Sequence, residues 1–230
     1  MSMPVDGIVL ECNNLKKTFF KNKKGIEVLN GISLTLESGK IYIVRGRSGV
    51  GKSTFINLLC GLDSATSGSI RIGDTDIVNL SNSKLAELRK NSIGIIFQNF
   101  NLISSWTAYE NVEAALLFTG IGRTERDGKI RALLTDMGLG DRMDNLPSEL
   151  SAGQQQRVAI ARALINEPIL ILADEPTGDL DPETAKEIVQ LLLNFVSKNI
   201  TVLITTHGSF PPGIGDIMFE MVDGFLKPAV

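Results

Sequence analysis

Residues 46–53 read GRSGVGKS, the spacing Gly-x-x-x-x-Gly-Lys-Ser, set between an apolar strand and a helix striped by Phe55, Leu58 and Leu59. Such a run suits the binding of a polyphosphate. Gly46, Gly49 and Gly51 let the backbone curl so that successive N–H groups face inward, and the dipole of the following helix adds positive potential at the same point. Arg47, Ser48 and Val50 complete the loop as nucleotide-contacting positions. Lys52 is placed to reach the β and γ phosphates, and the Ser53 hydroxyl to ligate Mg²⁺. Thr54 adds a hydroxyl for the α-phosphate.

A magnesium nucleotide site also needs a carboxylate at the end of a neighbouring buried strand. ILILADEP (169–176) puts Asp174 and Glu175 there, with Pro176 ending the ladder. Asp174 is expected to hold the metal through its water shell. Glu175 is the candidate general base for a water attacking the γ-phosphate. Further along, LSAGQQQR (150–157) precedes the apolar-periodic run VAIARALI. Ser151 and Gln154 fit a capping box, which accounts for a helix start. Gly153 is not accounted for, because glycine in a first helical turn costs about 1 kcal/mol relative to Ala unless something approaches the backbone closely.

These residues must be positioned by strands and helices in alternation. IVLEC, GISLTLESGK, IYIVRG and SIRIG read as strands, 82–91 as a helix, IGIIF (93–97) as a buried strand, and ILILA (169–173) as a central strand covered on both faces. A helix PETAKEIVQLLLNFV and a strand TVLITT follow, and DIMFEMVDGFL reads as a hairpin turning at Asp223–Gly224. The order implies an α/β fold with a parallel sheet. From about 98 to 147 the pattern is amphipathic and helical, interrupted at Gly120, Gly122, Gly138 and Pro147, and is expected to form a helical subdomain of a single 1–230 domain whose core is about 1–97 and 148–230.

Composition narrows the function classes. With 230 residues and a formal charge of −3, there is no general electrostatic reason to bind nucleic acid, and none is expected as a partner. The basic stretch LKKTFFKNKK (15–24) reads as a solvated loop. Cys12 and Cys60 lie in no metal or redox spacing, which fits a reducing, cytoplasmic setting. The start MSMPVDG lacks the features of a secretory leader, and no apolar run of about 18 residues occurs.

GRSGVGKST, LSAGQQQRVAIARAL, ILADEPTGDLD and TTH together resemble the nucleotide-binding subunits of ABC transporters, in that family's order and spacing. FQNFNLISSWTAYENV is similar to the group that includes lipoprotein-releasing and macrolide-exporting systems. The resemblance implies a P-loop NTPase of the ABC ATPase type, with a small antiparallel β subdomain and a helical signature subdomain. It implies an ATPase using ATP and Mg²⁺, in which two subunits, here expected as a homodimer, close head to tail. The signature helix of one subunit would then face the γ-phosphate held by the other, Ser151 through its hydroxyl and Gly153 through its N–H, with Gln154 beside them. It also implies roles for Gln98 as the lid glutamine reaching Mg²⁺ and the attacking water, for Asp181 as the loop aspartate crossing the interface, and for His207 as the switch histidine orienting Glu175. Capping of the helix that begins at Pro182 would satisfy Asp181 equally well.

Three departures from the family pattern stand out. Ala152 replaces a common Gly, Phe19 sits where a Tyr often stacks on adenine, with Phe20 as a rival, and Pro211 and Pro212 make a helix after His207 improbable. A separate transmembrane permease is the implied partner, holding the chain at the inner face of the cell membrane. A permease helix is expected to dock near 97–112, where Phe100, Leu102, Ile103, Trp106 and Tyr109 cluster. The alternatives are DNA-repair and ribosome-associated ATPases of the same family. The former usually carry a long coiled coil or zinc modules, the latter two nucleotide domains in tandem, and neither feature is in the sequence.

Overall fold

The computed structural model describes residues 7–22, 24–196, 199–208 and 215–229. Strands β1 (Ile8–Lys21) and β2 (Lys24–Glu37) form a long antiparallel hairpin. With β4 (Ser67–Ile72) and β5 (Thr75–Asp76) they make a four-stranded antiparallel sheet in the order β2-β1-β4-β5. The stretch 15–24, expected as a solvated loop, is therefore mostly strand. Alternation explains it: Leu15 is buried, and Lys17 lays its stem inward while its ammonium donates to Asp63 Oδ1 and to the Ser64 carbonyl, each at 2.7 Å. Lys16, Lys21 and Lys24 are exposed, as a solvated stretch should be, and the expectation fails in the loop assignment and at Lys17.

The second sheet has the order β10-β9-β3-β8-β7-β6. Its members are β3 (Ile41–Arg45), β6 (Ile93–Ile96), β7 (Leu170–Asp174), β8 (Thr201–Thr206), β9 (Ile217–Val222) and β10 (Phe225–Pro228). All neighbours pair in parallel except β9 and β10. That last pair is a hairpin with Asp223 at φ 49 and Gly224 at φ 75, the double positive φ of a two-residue turn, as the Asp-Gly pair predicts.

Helices α1 (Lys52–Leu59), α2 (Asn82–Ser92), α5 (Ala152–Leu164) and α6 (Pro182–Val196) flank the sheet. Two further helices, the short α3 (Ala108–Glu113) and the longer α4 (Arg123–Asp136), lie between β6 and α5. Gly122 caps the start of α4, and Gly138, at φ 71, follows its end. The fully buried amide of Asn111 bonds to Ile103, Trp106 and Thr107 backbone, which shapes the loop before α3.

Period-two alternation divides the core between the sheet's two faces. Ile41, Ile43, Ile171, Ala173, Val202 and Ile204 pack with α5 and α6, whereas Tyr42, Val44, Leu170, Leu172 and Leu203 pack with α1 and the antiparallel sheet. Cys12 and Cys60 are buried free thiols, and burial pushes them up to about 12 and about 11, so both stay protonated and unreactive at neutral pH. Pro211 and Pro212 lie outside the described residues. Among the described residues, no helix is long and apolar enough to cross a membrane. Leu172→Ala, which deletes a fully buried side chain at the centre of β7, should lower stability by about 2 to 5 kcal/mol, read as a reduced urea midpoint at constant m-value.

Candidate functional site

Because β3, β6, β7 and β8 run parallel, the segments that follow them emerge at one edge, where ligands of open α/β sheets bind. The glycine loop follows β3 and leads into α1. Gly46 N–H donates to the Thr206 carbonyl at 3.1 Å, tying the loop to the end of β8. Gly46 is needed for space, since a Cβ there would sit 2.9 Å from the Met221 carbonyl. Gly49 (φ 77) and Gly51 (φ 112) instead supply the left-handed backbone that curls the loop into α1. Lys52 is buried and its Nζ donates to the carbonyls of Gly46 at 2.9 Å and Arg47 at 3.1 Å. Arg47, Ser48 and Ser53 are exposed, and Val50 and Thr54 are half-buried.

β7 delivers the acidic pair. Asp174 Oδ1 accepts the Thr205 hydroxyl at 2.6 Å, which fixes the carboxylate against β8. Glu175 adopts φ 46, a left-handed conformation uncommon outside glycine, and its N–H donates to the Thr205 carbonyl at 3.0 Å. That elbow turns the side chain toward the glycine loop. Glu175 Oε1 lies 3.1 Å from Lys52 Nζ, and Oε2 contacts His207 Nδ1. One buried carboxylate thus bridges the loop lysine and the half-exposed histidine that follows β8. The structure brings Lys52, Glu175 and His207 together, with Asp174 beside them.

Outside the glycine loop, the other expected residues make no hydrogen bond or ion pair with that group among the described residues. Ser151 is the exposed N-cap of α5 and forms the capping box with Gln154. Its oxygen accepts the Gln154 N–H at 3.3 Å, so the hydroxyl proton is still available to donate outward. Gly153 touches α6 instead of the glycine loop: a Cβ there would fall 2.5 Å from Thr184 Cγ2. Asp181 caps α6 through the N–H groups of Glu183 and Thr184, both at 3.1 Å, and the Thr184 hydroxyl first, then these N–H bonds, hold its carboxyl below the usual range. Gln98 is exposed at the turn after β6. Phe19 is partly exposed on β1 with Lys17 Nζ 4.7 Å from its ring centre, and Phe20 is more exposed still.

Some residues were given no role by the sequence. Gln156, fully buried on α5, donates to the Pro176 carbonyl at 2.7 Å and so braces the elbow next to Glu175. Thr205 and Thr184 act through neighbours that only the fold brings close. The one signal available for Gln156 was a polar residue on the inward stripe of α5. Of the aromatic cluster at 100–109, Leu102 and Tyr109 pack on the core, while Phe118, outside it, is 83% exposed.

The donor set fits a hard cation held partly by phosphates. Among the described residues there is no cluster of three or more His, Cys, Asp or Glu side chains. Magnesium bound with a nucleotide takes one or two protein oxygens and fills the rest of its octahedron with phosphate and water, and Ser53 and Asp174 are of that kind.

A sequence model of the family described as "ABC transporter" matches residues 29–178. The lipoprotein-releasing system ATP-binding protein LolD of Syntrophus aciditrophicus (strain SB) is 45% identical over 200 residues, covering 86% of this chain and 90% of that protein. The macrolide export ATP-binding/permease protein MacB of Syntrophobacter fumaroxidans is 42% identical over 96% of this chain, which spans 31% of that longer protein. Among solved structures, the dimeric post-hydrolysis state of the ATP-binding cassette MJ0796 bound to ADP and Pi superposes with a TM-score of 0.88 at 36% identity, covering 95% of this chain and 96% of that one.

The contact at Gly153 separates packing from ligand binding. Gly153→Ala should cost about 1 to 3 kcal/mol by overpacking against Thr184, and Thr184→Ser, which removes the opposing methyl, should recover most of it in a urea-denaturation cycle.

Proposed function

The chain belongs to the ABC transporter family, and from that premise we propose that two copies close head to tail around two Mg-ATP and drive a separate membrane permease. It is an ATPase of that family, and ATP is its nucleotide. The observation that carries the proposal is a division of labour: Lys52, Glu175 and His207 meet in one protomer, whereas Ser151 caps an exposed helix end that makes no hydrogen bond to them among the described residues. A helix N-terminus with a free hydroxyl proton is an anion site awaiting a ligand, and the γ-phosphate held by a second copy supplies one.

In this reading the glycine loop, from Gly46 to Thr54, cradles the phosphates, and Lys52 moves from the Glu175 carboxylate to the β and γ phosphates. Release from that ion pair frees Glu175 to take a proton from the attacking water, while His207 holds the other carboxylate oxygen in place. Ser53 and Asp174, with Gln98, would hold Mg²⁺, which neutralises charge on the phosphates when bound. Phe19 offers a ring face to adenine. Ser151, Gly153 and Gln154 meet the γ-phosphate from the opposite copy, and Asp181 lies along the seam. Departure of phosphate removes the group both halves grip, and the halves part.

The permease contact is proposed at 97–112 and the groove beside it. That groove, about 580 Å³, is lined by Phe97, Ala114, Ala115, Phe118 and Arg162, an apolar floor with basic edges suited to a short amphipathic helix. Such docking places the chain at the inner face of the membrane. The likeness to a lipoprotein-releasing ATPase and to a macrolide-export ATPase favours this reading over DNA repair or ribosome binding.

Glu175→Gln should slow turnover by about 10² to 10⁴ while ATP stays bound, so dimer accumulates on gel filtration with ATP and magnesium. A profile showing only monomer would overturn the shared-site reading. Ser151→Arg should leave nucleotide binding by the single chain intact and abolish that dimer.

A further inference from the structure

We propose that Arg162 is a positioning residue for Gln98, fixing the turn that carries the glutamine to the helix that presents Ser151. The inference rests on the role proposed above for Gln98. Phe100 N–H donates to the Phe97 carbonyl at 3.2 Å, closing a turn with Gln98 and Asn99 at its corners. The chain then leaves through two consecutive left-handed residues, Phe100 at φ 58 and Asn101 at φ 48. Asn101 tolerates that conformation, but the bulky Phe100 does so at a cost, so the exit at Phe100 is strained and gains from a hold outside it. The Arg162 guanidinium provides it: Nη2 donates to the Phe100 carbonyl at 2.7 Å and Nη1 to the Asn101 carbonyl at 2.6 Å.

The clamp is built at a cost. Arg162 makes no ion pair with a carboxylate among the described residues, and its desolvation lowers its basicity. A half-buried cation whose hydrogen bonds go to two main-chain carbonyls serves to fix those carbonyls more than to fill space. Its planar fork suits two adjacent carbonyls in a way a lysine ammonium does not. Arg162 also sits on α5, eleven positions after its N-cap Ser151, and lines the groove proposed for the permease. A rigid helix therefore carries Ser151 at one end and, near the other, grips the loop that sets Gln98. Displacement at the groove is transmitted to both.

The test is a double-substitution cycle on the full chain, reading steady-state ATP hydrolysis at protein concentrations where the dimer forms. Gln98→Ala and Arg162→Met should each lower kcat by roughly 10- to 100-fold with KM for ATP within about twofold, because about 1 Å of misplacement is enough for such a loss. The pair together should be no slower than Gln98→Ala alone. Multiplying losses would overturn the inference, as would an unchanged kcat in either single variant of an active parent. Should Arg162→Met not fold by circular dichroism, Arg162→Lys takes its place in the same cycle. If instead the parent hydrolyses no ATP and Glu175→Gln forms no ATP dimer, the functional reading itself fails, an outcome distinct from multiplying losses in an active enzyme.

Discussion

Two opposite charges held 3.1 Å apart on buried side chains, Lys52 and Glu175, set the terms for everything around them. A buried ion pair gains little by existing, but removing one partner costs about 3 to 5 kcal/mol because the other is stranded. The surrounding structure limits that penalty: Lys52 keeps two loop carbonyls, and Glu175 keeps His207. Together with Glu175 itself, those partners arrive from the ends of three different strands, β3, β7 and β8. The arrangement exists because β8 lies between β3 and β7, so that the ends of all three converge.

That dependence explains which parts of the molecule were readable in advance. Apolar runs with glycine or acidic ends announce buried parallel strands, and the Asp223–Gly224 pair announces its own turn, because both signals are local. The glycine loop is legible for the same reason. Lys17 shows the limit: its charge says solvent, but its partner Asp63 is 46 positions away. Gly153 shows another. Its presence in a first helical turn was the unexplained feature of that helix, and the neighbour that demands it, Thr184, belongs to a different helix. Pair distances of this kind depend on how helices pack, which local pattern does not encode.

Gly153 and Asp181 each have a complete explanation inside one protomer, as a packing contact and a helix cap. This does not compete with service at an interface. A residue that must meet a phosphate within about 3 Å has to be held in place before the phosphate arrives, and the intramolecular contact is how it is held. Thr184 joins the two, its methyl against Gly153 and its N–H on Asp181, so the helix start and the neighbouring loop share one anchor. Ser151 follows the same logic: the capping bond orients its oxygen and leaves its proton free.

Helix α5 draws these threads together because its polar side chains reach in different directions. Gln156 bonds the Pro176 carbonyl beside Glu175, Arg157 reaches the Met137 carbonyl after α4 and Glu187 on α6, and Arg162 holds the exit from the Gln98 turn. A helix with only its apolar stripe buried could slide or roll against the sheet at modest cost. One bonded to the elbow, to two neighbouring helical segments and to a strained loop cannot move without breaking charge-assisted or buried hydrogen bonds, so it moves as a unit or not at all. In the reading proposed above, a rigid element joining the proposed docking groove to the helix end proposed to face phosphate would convert a push at the former into a displacement at the latter, the mechanical property a motor subunit requires.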